Sequence, residues 1–148
     1  MANALSVYPT QSNTKEGPFQ VLAGENLTGK EGCVCKLTHD SGVAEVVLPN
    51  DVADETEYLI LEGAANGEYV TVVALERGQS VRVKLKGTCN PGDKLGLGTV
   101  DGTHDGNVET LPVAADTYWV FLVAEEAGVD EQLVLCRPLL APAATVVS

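Results

Sequence analysis

Between Ser80 and Lys86 apolar and charged residues alternate, with Val81, Val83 and Leu85 in one set and Arg82, Lys84 and Lys86 in the other. Successive side chains of a strand point to opposite faces, so the pattern predicts a strand with one dry and one charged face. Residues 69–75 (YVTVVAL) read as another strand. The connection Glu76-Arg77-Gly78-Gln79 is short enough to predict an antiparallel hairpin between the two. Tyr58-Leu59-Ile60-Leu61 is almost continuously apolar, which predicts a strand buried on both faces, followed by a turn at Asn66-Gly67. An earlier hairpin is predicted from residues 33–38 and 43–48, closed by His39-Asp40-Ser41-Gly42. Residues 93–97 and 108–111 flank a loop at 99–107, and residues 118–124 and 131–136 form a last hairpin around Ala127-Gly128-Val129-Asp130. No window carries an apolar stripe of helical period.

The two ends differ from this body. Residues 1–18 are polar and weakly patterned and read as an arm, residues 19–138 as the folded domain, and residues 139–148 as an uncharged tail that either packs on a partner or frays. Composition strengthens the strand reading: Val occurs 21 times, Gly 15 times and Met once. The expected fold class is all-β, a compact antiparallel barrel or sandwich with an extended N-terminal arm. A chain of 148 residues, 45% hydrophobic and 20% charged, fits one globular domain.

Charge narrows the partners. Nine Lys and Arg stand against 21 Asp and Glu, a formal net charge of -12. Such a surface repels phosphate backbones and anionic lipid heads, so neither nucleic acid nor membrane is an expected partner. Residues 1–10 lack the basic start and apolar core of a secretion signal, so the chain is expected to be made and kept in a cytoplasm. Cys33, Cys35, Cys89 and Cys136 are then expected to stay thiols, as small buried apolar residues, and the sequon at Asn26-Leu27-Thr28 carries no weight.

Candidate chemistry is sparse. His39 and His104 both sit in Asp/Gly-rich turns and read as solvated polar residues, not as general bases. Cys33-Val34-Cys35 places two thiols on one strand face. A metal there would need Cys89, Cys136 or His39 to converge, and the spacing is not that of a zinc knuckle. Asp101-Gly102-Thr103-His104-Asp105-Gly106-Asn107 has carboxylates spaced around a glycine in the manner of a calcium loop, yet two Asp-Gly steps equally suit a tight turn, which is the reading adopted. Glu125-Glu126 and Asp54-Glu55 read as solvated corners. The sequence thus yields no catalytic, cofactor or metal residue. Arg82, Lys84 and Lys86 put three cations on one strand face of an acidic chain. Either they pair within the chain with acids such as Glu62, Glu68 or Glu76, or they meet an acidic neighbour.

The order of features in the second half is distinctive: Val81-Arg82-Val83, then Gly87-Thr88-Cys89-Asn90-Pro91-Gly92-Asp93, an Asp-Gly turn, Tyr118 to Glu126, and Gln132-Leu133-Val134-Leu135-Cys136-Arg137-Pro138. This resembles the capsid decoration, or cement, proteins of tailed bacteriophages, over residues 58–138. Trp119-Val120-Phe121 departs from it, since the family often has a smaller residue there. The resemblance implies a β-barrel or β-tulip-like domain, often a homotrimer, that sits on the outside of the capsid and bridges neighbouring capsomers of the major capsid protein. It implies no cofactor and no catalysis. In that setting Arg82, Lys84 and Lys86, with Tyr8 in the arm and Phe19 just after it, are the interface candidates. Another virion β-module, such as a tail-tube or spike subunit, and a Cys/His metal-binding protein are the alternatives.

Overall fold

The computed structural model describes residues 17–148, and within them the chain is all-β. Ten strands follow in order: β1 (Phe19–Ala23), β2 (Val34–Asp40), β3 (Val43–Val47), β4 (Tyr58–Glu62), β5 (Tyr69–Ala74), β6 (Val81–Lys84), β7 (Lys94–Gly96), β8 (Glu109–Thr110), β9 (Asp116–Ala124) and β10 (Leu133–Val147). The first five close into a barrel of order β1-β3-β2-β4-β5, and the last five make a sheet of order β6-β10-β9-β7-β8. An odd-numbered closed ring cannot have every neighbour antiparallel. The one parallel pair is β1 with β3, where Leu22 lies opposite Glu45.

Three barrel strands bury both faces. Cys33, Cys35, Val46, Ile60, Val70 and Val72 fill the lumen together with Val21, Ala23 and Leu27. Val34, Leu59 and Val73, on the alternate positions of β2, β4 and β5, point outward into a second core shared with Val83, Leu85, Leu95, Leu97, Phe121, Leu122 and Val134 of the other sheet. Leu59 and Ile60 are therefore adjacent in sequence but belong to different cores, at 2% and 0% exposure. The two-sided burial expected of this strand holds for that pair and ends at Leu61, 39% exposed, where β4 bulges between Ile60 and Glu62. Main-chain bonds also cross between the layers: Lys84 N–H donates to Gly32 O at 2.8 Å and Trp119 N–H to Val52 O at 2.8 Å.

Three expectations need correction. β5 and β6 are not a hairpin. Closing the barrel uses both edges of β5, one on β1 and one on β4, so β6 crosses to the second sheet and pairs with β10. The residues after Pro138 neither fray nor wait for a partner, because they continue β10, with Ala143 opposite Val120 and Val147 opposite Asp116. The β2–β3 hairpin closes on only two loop residues, Ser41 and Gly42, both with positive φ (50° and 85°), the turn geometry that matches strand twist. The other hairpins stand as expected, β7 with β8 and β9 with β10. The arm and Tyr8 lie outside the described residues, apart from Gly17 and Pro18.

Glycine is needed where backbones touch. A Cβ on Gly96 would come within 2.2 Å of Trp119 O, so β7 and β9 approach there only because the side chain is absent.

Leu59→Ala and Ile60→Ala should each cost about 2–5 kcal/mol in urea unfolding, because each empties a separate core, while Leu61→Ala should cost less than about 1 kcal/mol. A large loss at Leu61 or a small one at either neighbour would contradict the two-core description.

Candidate functional surfaces

The cation row is where the alternation of β6 places it, and its charges are matched at home. Arg82 Nη1 lies 2.7 Å from Glu126 Oε1, Lys84 Nζ 2.8 Å from Glu131 Oε2, and Lys86 Nζ 3.8 Å from Glu109 Oε2. Lys86 also donates to the Thr99 hydroxyl. The acids come from the turn before β10 and from β8, not from Glu62, Glu68 or Glu76, because β6 neighbours β10 instead of β5. The hydrogen bond that Lys84 donates to Glu131 raises the Lys84 pKa. Glu126 is held below the usual carboxylate range, chiefly by the Leu135 N–H and then by Arg82. Pairs at this exposure contribute little to stability.

The remaining acidic corners are similarly occupied. Glu125 accepts from Ser80 and from Arg137, and Asp54 Oδ2 accepts from Lys36 Nζ at 2.7 Å and from the Asn50 and Asp51 N–H groups. Burial pushes the Asp54 carboxyl up, but the Lys36 hydrogen bond and the two N–H donors outweigh it and leave the pKa lowered.

The loop at 99–107 is a network of turns. Asp101 Oδ1 accepts from the Thr103 and His104 N–H groups at 2.9 and 2.8 Å, and Asp105 Oδ1 accepts from Asp101 and Gly102. His104 Nδ1 lies 2.8 Å from Asp101 Oδ2. The His104 N–H, then its ring, hold the Asp101 carboxyl well below the usual carboxylate range. These carboxylates spend their lone pairs on main-chain donors. The loop ends on a buried Asn107, whose side-chain oxygen accepts from the Cys33 thiol at 3.3 Å and whose amide donates to Glu131.

The four cysteines are buried, free thiols. Cys33 and Cys35 face the barrel lumen, whereas Cys89 and Cys136 lie in the second core. Burial raises the thiols of Cys33 to about 11 and of Cys35 and Cys136 to about 12, and raises that of Cys89 as well. Among the described residues no cluster of three or more His, Cys, Asp or Glu is placed to hold a metal ion. His39 is exposed on β2, where its Nδ1 accepts from the Gly42 N–H at 3.1 Å.

Of the remaining interface candidates, Phe19 opens β1 half-buried, with its ring edge-on to Tyr58 at 5.8 Å. Pattern reading missed a pocket of about 300 Å³ lined by the start of β4, the end of β5, and β9 and β10. Between Pro138 and Ala143, β10 bulges away from Phe121, and this bulge forms one wall. Trp119 and Phe121, which stack at 6.2 Å, line the pocket as well.

No family model and no curated protein matches this sequence. Among solved structures the chain is similar to the N base of the head fiber protein gp8.5 of bacteriophage phi29, with a TM-score of 0.64, covering 85% of this chain and 96% of that one. Sequence identity is 17%. The likeness is one of fold. It bears out the all-β class, here a closed five-stranded barrel carrying a second, curled sheet.

The thiols give a pH dependence. A folded-state pKa above the unfolded 9.0 means that the unfolded chain loses these protons first, so stability should fall as pH rises from about 9 towards 12. Cys35→Ala with Cys136→Ala should flatten that limb in urea titrations at successive pH values; an equally steep decline in the double variant would contradict it.

Proposed function

We propose that this chain is a structural protein of a phage virion, bound to the outside of the capsid through the major capsid protein, bridging neighbouring capsomers and working without catalysis. The observation that supports this most is the fold shared with a phage head fiber base over nearly the whole of that chain. The resemblance of residues 58–138 to capsid decoration proteins is a second, separate support.

The physical character fits adhesion. A chain with a net charge of -12 stays soluble before assembly and avoids the polyanions of its host. Its exposed apolar side chains include Leu37 and Val43 on the β2–β3 hairpin, Leu61 and Tyr69 on β4 and β5, Val129 before β10 and Leu133 at its start, and Val113, Leu140 and Val146. Repeated over a symmetric shell, modest interfaces of about 800 Å² per partner add up to a large collective stabilisation. The trimer implied by the resemblance would let one unit touch several capsomers at once. A made cation row adds a means of selection, since opening three ion pairs costs little and exposes positive charge to an acidic neighbour.

The likeness to a fiber base favours a second reading, in which the domain is the capsid-anchored base of a projecting fiber and need not bridge capsomers.

Mixing purified protein with capsids that lack it separates the readings. Bridging predicts saturable binding, trimer density between capsomers in cryo-electron microscopy, and capsids that survive higher temperature. Binding without added heat stability would favour the fiber base, and no binding to any capsid would refute both. Arg82→Glu with Lys84→Glu and Lys86→Glu should reduce occupancy at least about tenfold if the row meets acidic neighbours; unchanged occupancy would leave it a solvated, self-paired face.

A further inference from the structure

The second half of β10 is ordered by β9 along one edge, and its other edge is open. Residues 143–147 pair with residues 116–120 of β9, whereas β6, the other neighbour of β10, pairs with Leu133 to Cys136. Among the described residues no strand pairs with the outer edge of 143–147. The register fixes what that edge presents. Trp119 donates its N–H to Val52 O and accepts from the Leu97 N–H, so both of its main-chain groups point away from β10. In an antiparallel ladder the residue opposite such a position also turns both groups away, and the pattern repeats at every second residue. Ala144, opposite Trp119, and Val146, opposite Thr117, therefore aim their N–H and C=O groups at the open edge. Thr117 fits this phase, since its N–H goes to the Asp116 carboxylate and not to β10.

An open edge is a template for a further strand, and proteins usually blunt it with charge, proline or a bulge. Elsewhere this chain does so. The edge of β6 carries Arg82 and Lys84, with the Lys84 N–H taken by Gly32 O, and β2 beyond Cys35 carries Lys36 and Asp40. On β10 the bulge and Pro142 protect the strand only as far as Ala143. Residues 138–148 hold no charged side chain, the longest such run among residues 17–148 of a chain whose net charge is -12. Ala144 and Val146 are both exposed, Val146 at 73%.

We propose that this edge pairs with the same edge of a second copy of the chain, antiparallel, with Thr145 on the two-fold axis. Three features select this occupant. Ala144 and Val146 flank Thr145 symmetrically, so in this register Ala144 of each chain faces Val146 of the other and each such pair exchanges both of its N–H···O bonds. Two copies of a strongly acidic chain repel each other over most of their surface, and the repulsion is least where both surfaces lack charge. A partner of opposite charge would be met by charged side chains on the strand, and residues 143–147 have none. Across the axis the two Thr145 side chains lie on one face, where threonines pair favourably. A contact of five residues a side is well under the roughly 800 Å² per partner of a standard interface, so it is weak in dilute solution and gains from repetition in an assembly. The proposal does not rest on the capsid role, and a two-fold contact can join chains that belong to different trimers.

Thr145→Cys tests the register. Residues that face each other in an antiparallel pair without mutual hydrogen bonds have Cα atoms about 4.5 Å apart, within the range a disulfide spans. Under a mild oxidant the full-length variant should form a disulfide-linked dimer on a denaturing gel, while the unmodified chain, whose four thiols are buried, should not. Ser148→Cys is the control: Ser148 is exposed, but the same register sets it about 20 Å along the strands from its counterpart, so its dimer yield should be at least about tenfold lower. Val146→Pro, which removes an N–H that β9 does not use, should cut the Thr145→Cys yield at least about tenfold. If it alters the far-ultraviolet circular dichroism, Ala144→Lys with Val146→Lys, both at exposed positions, should do the same by like-charge repulsion across the axis. No dimer from Thr145→Cys, an equal yield from Ser148→Cys, or a yield indifferent to the folded edge variant would overturn the proposal.

Discussion

The structure depends on one wall that must be dry on both sides. A five-stranded ring has a narrow lumen, which Ile60, Val70, Val72, Val46 and two thiols fill, and that would be a sufficient core for a small barrel. But β2, β4 and β5 also carry Val34, Leu59 and Val73 outward, and leaving these in water would forfeit much of the stabilisation that the same strands gain inside. The second sheet exists to cover them. Its own apolar positions on β6, β7, β9 and β10 face that wall, which in turn fixes the outward direction of Arg82, Lys84 and Lys86. Barrel and sheet are for this reason one body, tied further by main-chain bonds such as Lys84 N–H to Gly32 O.

What is left for the outside follows from the same constraint. The covered wall takes much of the protein's apolar surface, and what stays exposed is scattered: Leu37 and Val43 on the β2–β3 hairpin, Leu61 and Tyr69 on β4 and β5, and Val113, Leu140 and Val146. The acids around β6 neutralise its cations without burying them, which keeps the face soluble and still available to a competing carboxylate. The carboxylates of the 99–107 loop hold its own main chain, and Asn107 links the loop to Cys33, which faces the barrel lumen.

The alternation of single strands was legible, and so was the one run with burial on both sides, because those depend only on which residues are apolar. Partnership between strands was less so. A four-residue connection between residues 75 and 80 is compatible with a hairpin or with a crossing between layers, and only closure of the barrel, which depends on the short and unremarked β1, decides for the crossing. The acids that meet Arg82, Lys84 and Lys86 were missed for the same reason, since they lie on strands and turns that the false hairpin had placed elsewhere. Pro138 and Pro142 disguised the length of β10: prolines usually end a strand, but here they flank a bulge that the strand survives. The pocket had no pattern of its own, because a bulge, a ring stack, the start of β4 and the end of β5 make it jointly.

Native-state hydrogen exchange across a urea series tests the shared wall most directly. If barrel and sheet are one body, the slowest amides of β4 and β5 and those of β9 should converge on a single opening free energy with the same dependence on urea. Barrel amides that open well below those of β9, with a smaller urea dependence, would show two independent layers and contradict the account.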